Sequence, residues 1–337
     1  MSKTEPAMKR ICVLPGDGIG PEVVSCAVRV LGTVAPGLEL LNADIGQSAL
    51  IRHHSCLPDD TLELMRTCDS TLFGAVTSSP DPGYTSPVLT FRKSLDLYAN
   101  VRPVRSLVRT SSKPAIDIVI VRENSEGLYH QPEAVDAEGV TTHRRVTRHG
   151  CERIVDFAIE HARGRKRHGV CCVHKANVLR QSDGLFLDVF RERMATAPDL
   201  SAKDQLVDSA AMFLVTEPSR FDVIVTLNLY GDILSDVAAG VAGGLGFAPS
   251  GNIGQKHSVF EPAHGSAPDI AGKGVANPTA TILAAAMMLD HLGMPREARD
   301  VEAAVSETYS SGHLTVDLGG RHGSSSFTDH VVRRMRA

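Results

Sequence analysis

Asp232 and Asp236 stand four residues apart in the stretch FDVIVTLNLYGDILSD, residues 221–236. On a helix that spacing puts both carboxylates on one face, with Cβ atoms about 6 Å apart. Such a pair suits a hard divalent cation such as Mg²⁺ and leaves coordination positions for water or substrate. It also suits a helix cap beside a surface acid, and this stretch alone does not choose. Asp208, within the otherwise apolar run 205–215, is a further possible metal ligand. Arg92, Arg102 and Arg122 carry fixed positive forks matched to carboxylates, or are salt-bridged surface groups. Lys175, in HKANVL, could accept a proton if carboxylates and a metal surround it, or could be a surface anchor. Tyr129 follows Arg122 by seven residues and is either an acid or a core or rim aromatic.

These residues need elements to hold them. Val223–Thr226 is an apolar β-branched run of buried-strand type. A turn through Asn228 and Gly231 would lead into a helix carrying Ile233, Leu234, Val237 and Val241. Further strands are expected at 10–15, 38–43, 70–75, 117–121 and 170–173, and helices after Pro21 and at 59–66, 152–163, 205–215, 278–291, 301–310 and 328–336. This alternation is that of an α/β protein with a largely parallel sheet. Residues 77–90, rich in Ser, Thr, Pro and Gly, read as a loop over a strand end, and 131–148 as an irregular arm or clasp. Gly16-Asp17-Gly18-Ile19-Gly20-Pro21 departs from the G-x-G-x-x-G dinucleotide pattern, and a tight turn accounts for most of its glycines. In VFEPAHGSAPDIAGKG, backbone amides can wrap a phosphate and Asp269 can accept from ribose hydroxyls.

The chain has 337 residues, enough for one large domain or two ordinary ones. A net charge of -4 and a pI near 6.4 argue against a nucleic-acid partner. Apolar runs such as 282–289 are far short of the roughly 20 residues that span a bilayer, so no membrane partner is expected. Seven cysteines without zinc-like or disulfide-framework spacing read as reduced thiols of a cytoplasmic protein.

The ordered segments LPGDGIGPEV, FRKSLDLYANVRP, VRENSEGLY, HKANVL, NLYGDILSD and FEPAHGSAPDIAGKGVANPTA resemble the β-decarboxylating dehydrogenases of malate-type 2-hydroxy acids over nearly the full length. That family acts on isocitrate, homoisocitrate, 3-isopropylmalate or tartrate. The resemblance implies an isopropylmalate-dehydrogenase-like two-domain α/β fold with a mixed sheet, distinct from the Rossmann fold. Residues 1–98 plus 244–337 would form the large cofactor-binding domain. Residues 99–243 would form an inserted domain carrying the dimer interface and the metal and substrate residues. It implies a homodimer, or dimer-based oligomer, with shared active sites. Arg92, Arg102 and Arg122 would bind a small 2-hydroxy di- or tricarboxylic acid. Asp232 and Asp236, with Asp208 of the partner subunit, would hold Mg²⁺ or Mn²⁺. Lys175 of the partner subunit would accept the hydroxyl proton, and Tyr129 would protonate C3 after CO2 leaves. Asn177 matches a residue near the nicotinamide and substrate. His264, Gly265, Ser266, Ala267, Asp269 and Asn277 match the adenosine loop. A carboxylate at Asp269 would repel a 2′-phosphate, so NAD is expected over NADP.

The group on C3 would meet Ser86, Val88 and Leu89. Val88 and Leu89 suit an isopropyl-like group, and Ser86 falls where isocitrate enzymes place a carboxylate-binding serine. DLYANVRP and VRENSEGLY look most like homoisocitrate and NAD-isocitrate members, which puts a homoisocitrate-type substrate first and 3-isopropylmalate second. A specialised 2-hydroxy acid stays open. A regulatory subunit without turnover would be expected to lose a metal carboxylate, the lysine or the tyrosine, and all are kept.

Overall fold

The computed structural model describes residues 8–79, 84–108, 114–129 and 133–336. Residues 80–83 of the loop expected at 77–90, and 131–132 of the expected arm, lie outside them. The chain divides into two compact units, one of residues up to Phe91 and from Lys256 onward, the other Arg92–Gln255.

In the first unit four parallel strands lie in the order Glu39–Asn42, Arg10–Gly16, Ser70–Ala75, Ser258–Pro262. Ser70–Ala75 is buried at every position, as an inner parallel strand covered on both faces requires. The helix Gly20–Val34 turns Val23, Val24, Ala27, Val30 and Leu31 inward. Thr279–His291 is buried nearly all round and packs against Gly20–Val34 and Pro295–Ser310. The glycines of the 16–20 turn are there for contact. A Cβ on Gly18, at φ 59°, would come within 2.0 Å of Ser266 O, so this turn lies directly on the 264–269 loop.

In the second unit the strand order is Pro249–Ile253, Ala99–Arg105, Asp117–Glu123, Val223–Thr226, Gly169–His174, Ser201–Leu206. The first two pairings are antiparallel and the other three parallel, so the sheet is mixed. Val104, Ile118, Ile120, Val173 and Ile224 pack with Ala210, Leu214, Leu234 and Ala238 of the helices Val207–Thr216 and Asn228–Ala242. The α/β fold with a mixed sheet is the one the resemblance implies.

Several elements depart from the sequence reading. Residues 87–90 are helical, within Pro87–Ser94, not loop. Ser86 precedes that helix in the N-cap position and its Oγ accepts from Leu89 N at 3.4 Å. The helix expected to follow a turn after Thr226 already begins at Asn228. The irregular arm contains an exposed antiparallel hairpin, Glu133–Val135 with Val140–Thr142. Residues after Gly243 include the strands Pro249–Ile253 and Ser258–Pro262. All seven cysteines are free thiols.

Candidate active site

Arg122 lies near the end of the strand Asp117–Glu123, and Asp232 one turn into the helix Asn228–Ala242. The Arg122 side chain is 2% exposed. Its Nε and Nη2 donate to Asn228 Oδ1 at 3.1 and 2.7 Å, and its Nη1 donates to Asp232. The aliphatic stem crosses the helix so closely that a Cβ on residue 231 would come within 2.6 Å of it. Gly231 is therefore a close-approach residue, tolerated inside a helix at a cost of about 1 kcal/mol relative to alanine.

Arg102, on Ala99–Arg105, donates from Nε to Asn100 Oδ1 at 2.7 Å and from Nη1 to Ser235 Oγ at 2.6 Å. The same Nη1 stands 3.3 Å from Asp232 and 3.6 Å from Asp236. Asn100 in turn donates to Ser250 Oγ at 2.8 Å and Asn252 Oδ1 at 2.9 Å, all of them buried. Tyr129 donates its hydroxyl to Asp232 Oδ2 at 2.7 Å and lies beneath the Arg122 guanidinium, 5.2 Å from ring centre to Cζ.

Burial acts on Arg122, Tyr129, Asp232 and Asp236. It pushes the Arg122 guanidinium down to about 9, with Arg102 acting in the same direction and Asp232 opposing, so Arg122 stays cationic at neutral pH. Burial would raise Asp232, but Arg122 and then Arg102 hold it below the usual carboxylate range. Asp236 goes the other way, lifted by burial against the pull of Arg102 and further by the charge of Asp232. Burial, then the hydrogen bond to Asp232, raises the Tyr129 phenol, which therefore carries its proton through the neutral range. Arg92, in the last turn of Pro87–Ser94, adds to the positive charge acting on Asp232. Val88 and Leu89, partly buried, lie about one turn before Arg92 on that helix, with Ser86 at its start. The arrangement can bind a compound with several carboxylates and offers a proton from Tyr129 beside them.

Lys175 follows the strand Gly169–His174, and its Nζ donates to Asp208 Oδ1 at 2.5 Å, which lowers the Asp208 pKa. Its backbone N donates to Asp183 Oδ2 at 2.7 Å, and the fully buried Asp183 is held by Arg144. Asn177 is exposed. Among the described residues, neither Lys175 nor Asp208 forms a hydrogen bond or ion pair with Asp232, Asp236 or Tyr129. A single chain thus gathers Asp232, Asp236, Tyr129 and the arginines into one group, and pairs Lys175 with Asp208 in another.

The 264–277 loop belongs to the first unit. Ser266 is buried, accepts from Thr77 Oγ1 at 2.8 Å and receives Ile19 N on its carbonyl at 2.8 Å. Ala267 is held at φ 39°, and Ile270 N closes a turn onto its carbonyl at 3.1 Å. His264 lies beside the exposed Gly265, and burial keeps its imidazole below its ordinary pKa. Asp269 is exposed. Asn277 donates to Asp317 Oδ2 at 3.0 Å and accepts from Thr279 N at 3.0 Å. The amides of Gly274 and Ala276 are taken by the Glu22 carboxylate at 3.3 and 3.0 Å.

Sequence reasoning missed the supports. Asn100, Asn228 and Ser235 hold the arginines, Asn252 holds Asn100, Asp183 holds the Lys175 backbone, and Asp317 holds Asn277. Asn228 reads from the sequence as a turn residue, and its place two residues after the strand run Val223–Thr226 is the one available signal.

A family model described as isocitrate/isopropylmalate dehydrogenase matches residues 10–331. The chain belongs to the isocitrate/isopropylmalate dehydrogenase family. It is 48% identical over 330 residues to the isocitrate/homoisocitrate dehydrogenase of Thermus thermophilus, covering 97% of this chain and 99% of that one. It is 47% identical over 335 residues to the 3-isopropylmalate/3-methylmalate dehydrogenase of Methanocaldococcus jannaschii, covering 98% and 99%. The crystal structure of isocitrate dehydrogenase from Methylococcus capsulatus superimposes with a TM-score of 0.95 at 42% identity, covering 98% of this chain and all of that one. The family consists of β-decarboxylating dehydrogenases, enzymes acting on the CH–OH group of hydroxy acids. Among the described residues no helix is long and apolar enough to cross a membrane.

Proposed function

We propose that this enzyme catalyses NAD-linked, divalent-metal-dependent oxidative decarboxylation of a 3-substituted malate, of homoisocitrate or isocitrate type, to a 2-oxo acid and CO2. The observation that carries this reading is the group of Arg102, Arg122, Tyr129, Asp232 and Asp236 around one end of the helix Asn228–Ala242. Three arginines bind the substrate carboxylates and fix its orientation by bidentate geometry. Asp232 and Asp236 present oxygen donors, the set that Mg²⁺ or Mn²⁺ prefers. Together with Asp208 of the partner subunit they would hold the cation, which would supply Lewis-acid polarisation of the substrate's C2 oxygen. His264–Ala267, Asp269 and Asn277 would hold NAD, which would supply the hydride acceptor.

Lys175 of the partner subunit accepts the C2 hydroxyl proton, and Tyr129 delivers a proton to C3 after CO2 departs. The raised Tyr129 phenol keeps its proton through the neutral range, and its hydroxyl donates to Asp232 Oδ2 at 2.7 Å within the same group. Sharing between subunits is supported by the separation of the Lys175–Asp208 pair from the Asp232 group. It is also supported by the exposed Met212 and Val215 on Val207–Thr216 and Ile233 on Asn228–Ala242, an apolar face that a second copy would cover. Asp269 favours NAD, since a carboxylate there accepts from a free 2′-hydroxyl.

Ser86 supports the tricarboxylic type. Its Oγ accepts from Leu89 N, and its O–H remains to donate to a substrate carboxylate. The second reading, 3-isopropylmalate, is favoured by Val88 and Leu89 beside Arg92 on one helix. The test is NAD reduction, with Mg²⁺ and again after EDTA, on homoisocitrate, isocitrate, 3-isopropylmalate, tartrate and malate. The reading requires turnover of a β-carboxylated substrate that EDTA abolishes, with a homoisocitrate-type acid ahead of 3-isopropylmalate. Full activity in EDTA, or NADP preferred over NAD, would refute it.

A further inference from the structure

Three histidines outside the proposed active site come together in the first unit. His313 follows the helix Pro295–Ser310, His322 precedes the helix Ser324–Met335, and His330 lies on that helix. One ring nitrogen from each can be chosen so that all three lie within 4.8 Å of one another. His313 Nδ1 and His322 Nε2 are 3.3 Å apart, and the His313 and His330 rings stack at 3.7 Å. We propose that His313, His322 and His330 form a nitrogen-donor site for a borderline divalent metal such as Zn²⁺, separate from the carboxylate site.

The ordinary explanation of clustered histidines is a charged group shared with acids. Here no carboxylate is hydrogen-bonded to any of the three among the described residues, and His322 Nδ1 meets only the Ser326 hydroxyl, at 3.4 Å. Burial, and then the positive charges of Arg333, Arg334 and the neighbouring histidines, with Arg321 also acting on His313, favour neutral rings at His313 and His330. Neutral imidazole is the ligand form. Two nitrogens bound to one tetrahedral zinc, at about 2.1 Å each, stand about 3.4 Å apart, close to the 3.3 Å already present. His330 reaches the same point when the stacked rings fan apart, a side-chain rotation for which partly exposed rings have room. Three imidazoles and a water complete a four-coordinate site. Hard cations that require oxygen ligands are not held by this set. The arginines oppose binding, Arg334 most directly, since its Nη1 donates to His330 O at 3.3 Å.

The site has a mechanical consequence. His313 and His322 flank a loop closed on itself by His322 N to Leu314 O at 3.2 Å and Gly320 N to Thr315 O at 2.9 Å. A metal shared with His330 staples the base of that loop to the last helix. The loop carries Asp317, the partner of Asn277.

The test is isothermal titration of the full-length protein with ZnCl2 in excess MgCl2, which fills the carboxylate site. It is repeated on H313A, H330A and the milder H322N, each first checked for an unchanged metal-free melting temperature. A Co²⁺ absorption spectrum reports geometry. The proposal requires one Zn²⁺ per chain, affinity at least about tenfold weaker in H313A and H330A, and intense tetrahedral Co²⁺ bands lost in the same variants. No zinc binding, or binding that the histidine changes leave intact, overturns it. Activity is not the readout, so the result stands apart from the proposed reaction.

Discussion

The two units reach their candidate sites by opposite means. In Arg92–Gln255 the site is made of charged side chains, each fixed by another side chain: Arg122 by Asn228, Arg102 by Asn100 and Ser235, Tyr129 by Asp232. In the first unit the 264–277 loop is made mostly of backbone, shaped by Gly18 against Ser266 and by Glu22 on the amides of Gly274 and Ala276. The difference teaches where each half is vulnerable. Losing one member of the charged group leaves a buried partner uncompensated, whereas the loop shares its support over many weaker contacts.

The largest expected effect is on chemistry. K175M should lower kcat about 10²–10⁴-fold, the range for losing a positioned proton acceptor, with the circular dichroism spectrum unchanged. Mixing inactive K175M with inactive D232N after denaturation and refolding should restore measurable turnover, because one site of a mixed dimer keeps both groups. Absence of rescue would place each site within a single chain. Next, R122M should destabilise by about 3 kcal/mol in urea melts, since it strands Asn228 Oδ1 and Asp232. N277A in the loop should cost only about 1 kcal/mol. Equal losses would erase the contrast between the units. G231A should cost about 1–3 kcal/mol through contact with the Arg122 stem, whereas G265A, with nothing within 4 Å of the added Cβ, should change stability little.

The smallest effect separates the units by pH. Burial depresses His264 and His291 below 6.5, so the unfolded chain binds protons first as pH falls. Their contribution is full above about 6.5 and is lost as pH drops through 6.5 toward the folded values. Asp232 is depressed by its arginines below 3.8, so its contribution persists down to about 3.8 and is lost only below it. Hydrogen exchange near pH 5.5 should therefore loosen residues around 264 and 291 before those around 232.

The sequence displayed this architecture unevenly. Ser70–Ala75 and Val223–Thr226 are short apolar runs, and both are strands with the expected bounds. Ser201–Leu206 is an exposed edge strand, SAKDQL, with no apolar alternation to announce it. Ala99–Arg105 contains two arginines and a proline, a composition that reads as loop, because the buried partners that make Arg102 tolerable lie 2 to 133 residues away. The same reason hid Asn252 and Asp183. A neutral amide or a lone acid carries no local sign of the charge it will hold. The spacing of Asp232 and Asp236 places both on one helix face, but leaves open whether they hold a cation or cap the helix.

The Glu22 carboxylate also ties Ser324 to the first helix. Residues from 22 and from beyond 270 thus close one structure around a 164-residue segment, 92–255. During synthesis that middle segment has every strand of its own sheet before the flanking unit has its last helix. The 264–277 loop is made after the arginine and aspartate group and leans on Ser324 at the start of the last helix, so a chain stalled after 255 would carry that group in a finished sheet while the first unit is still incomplete.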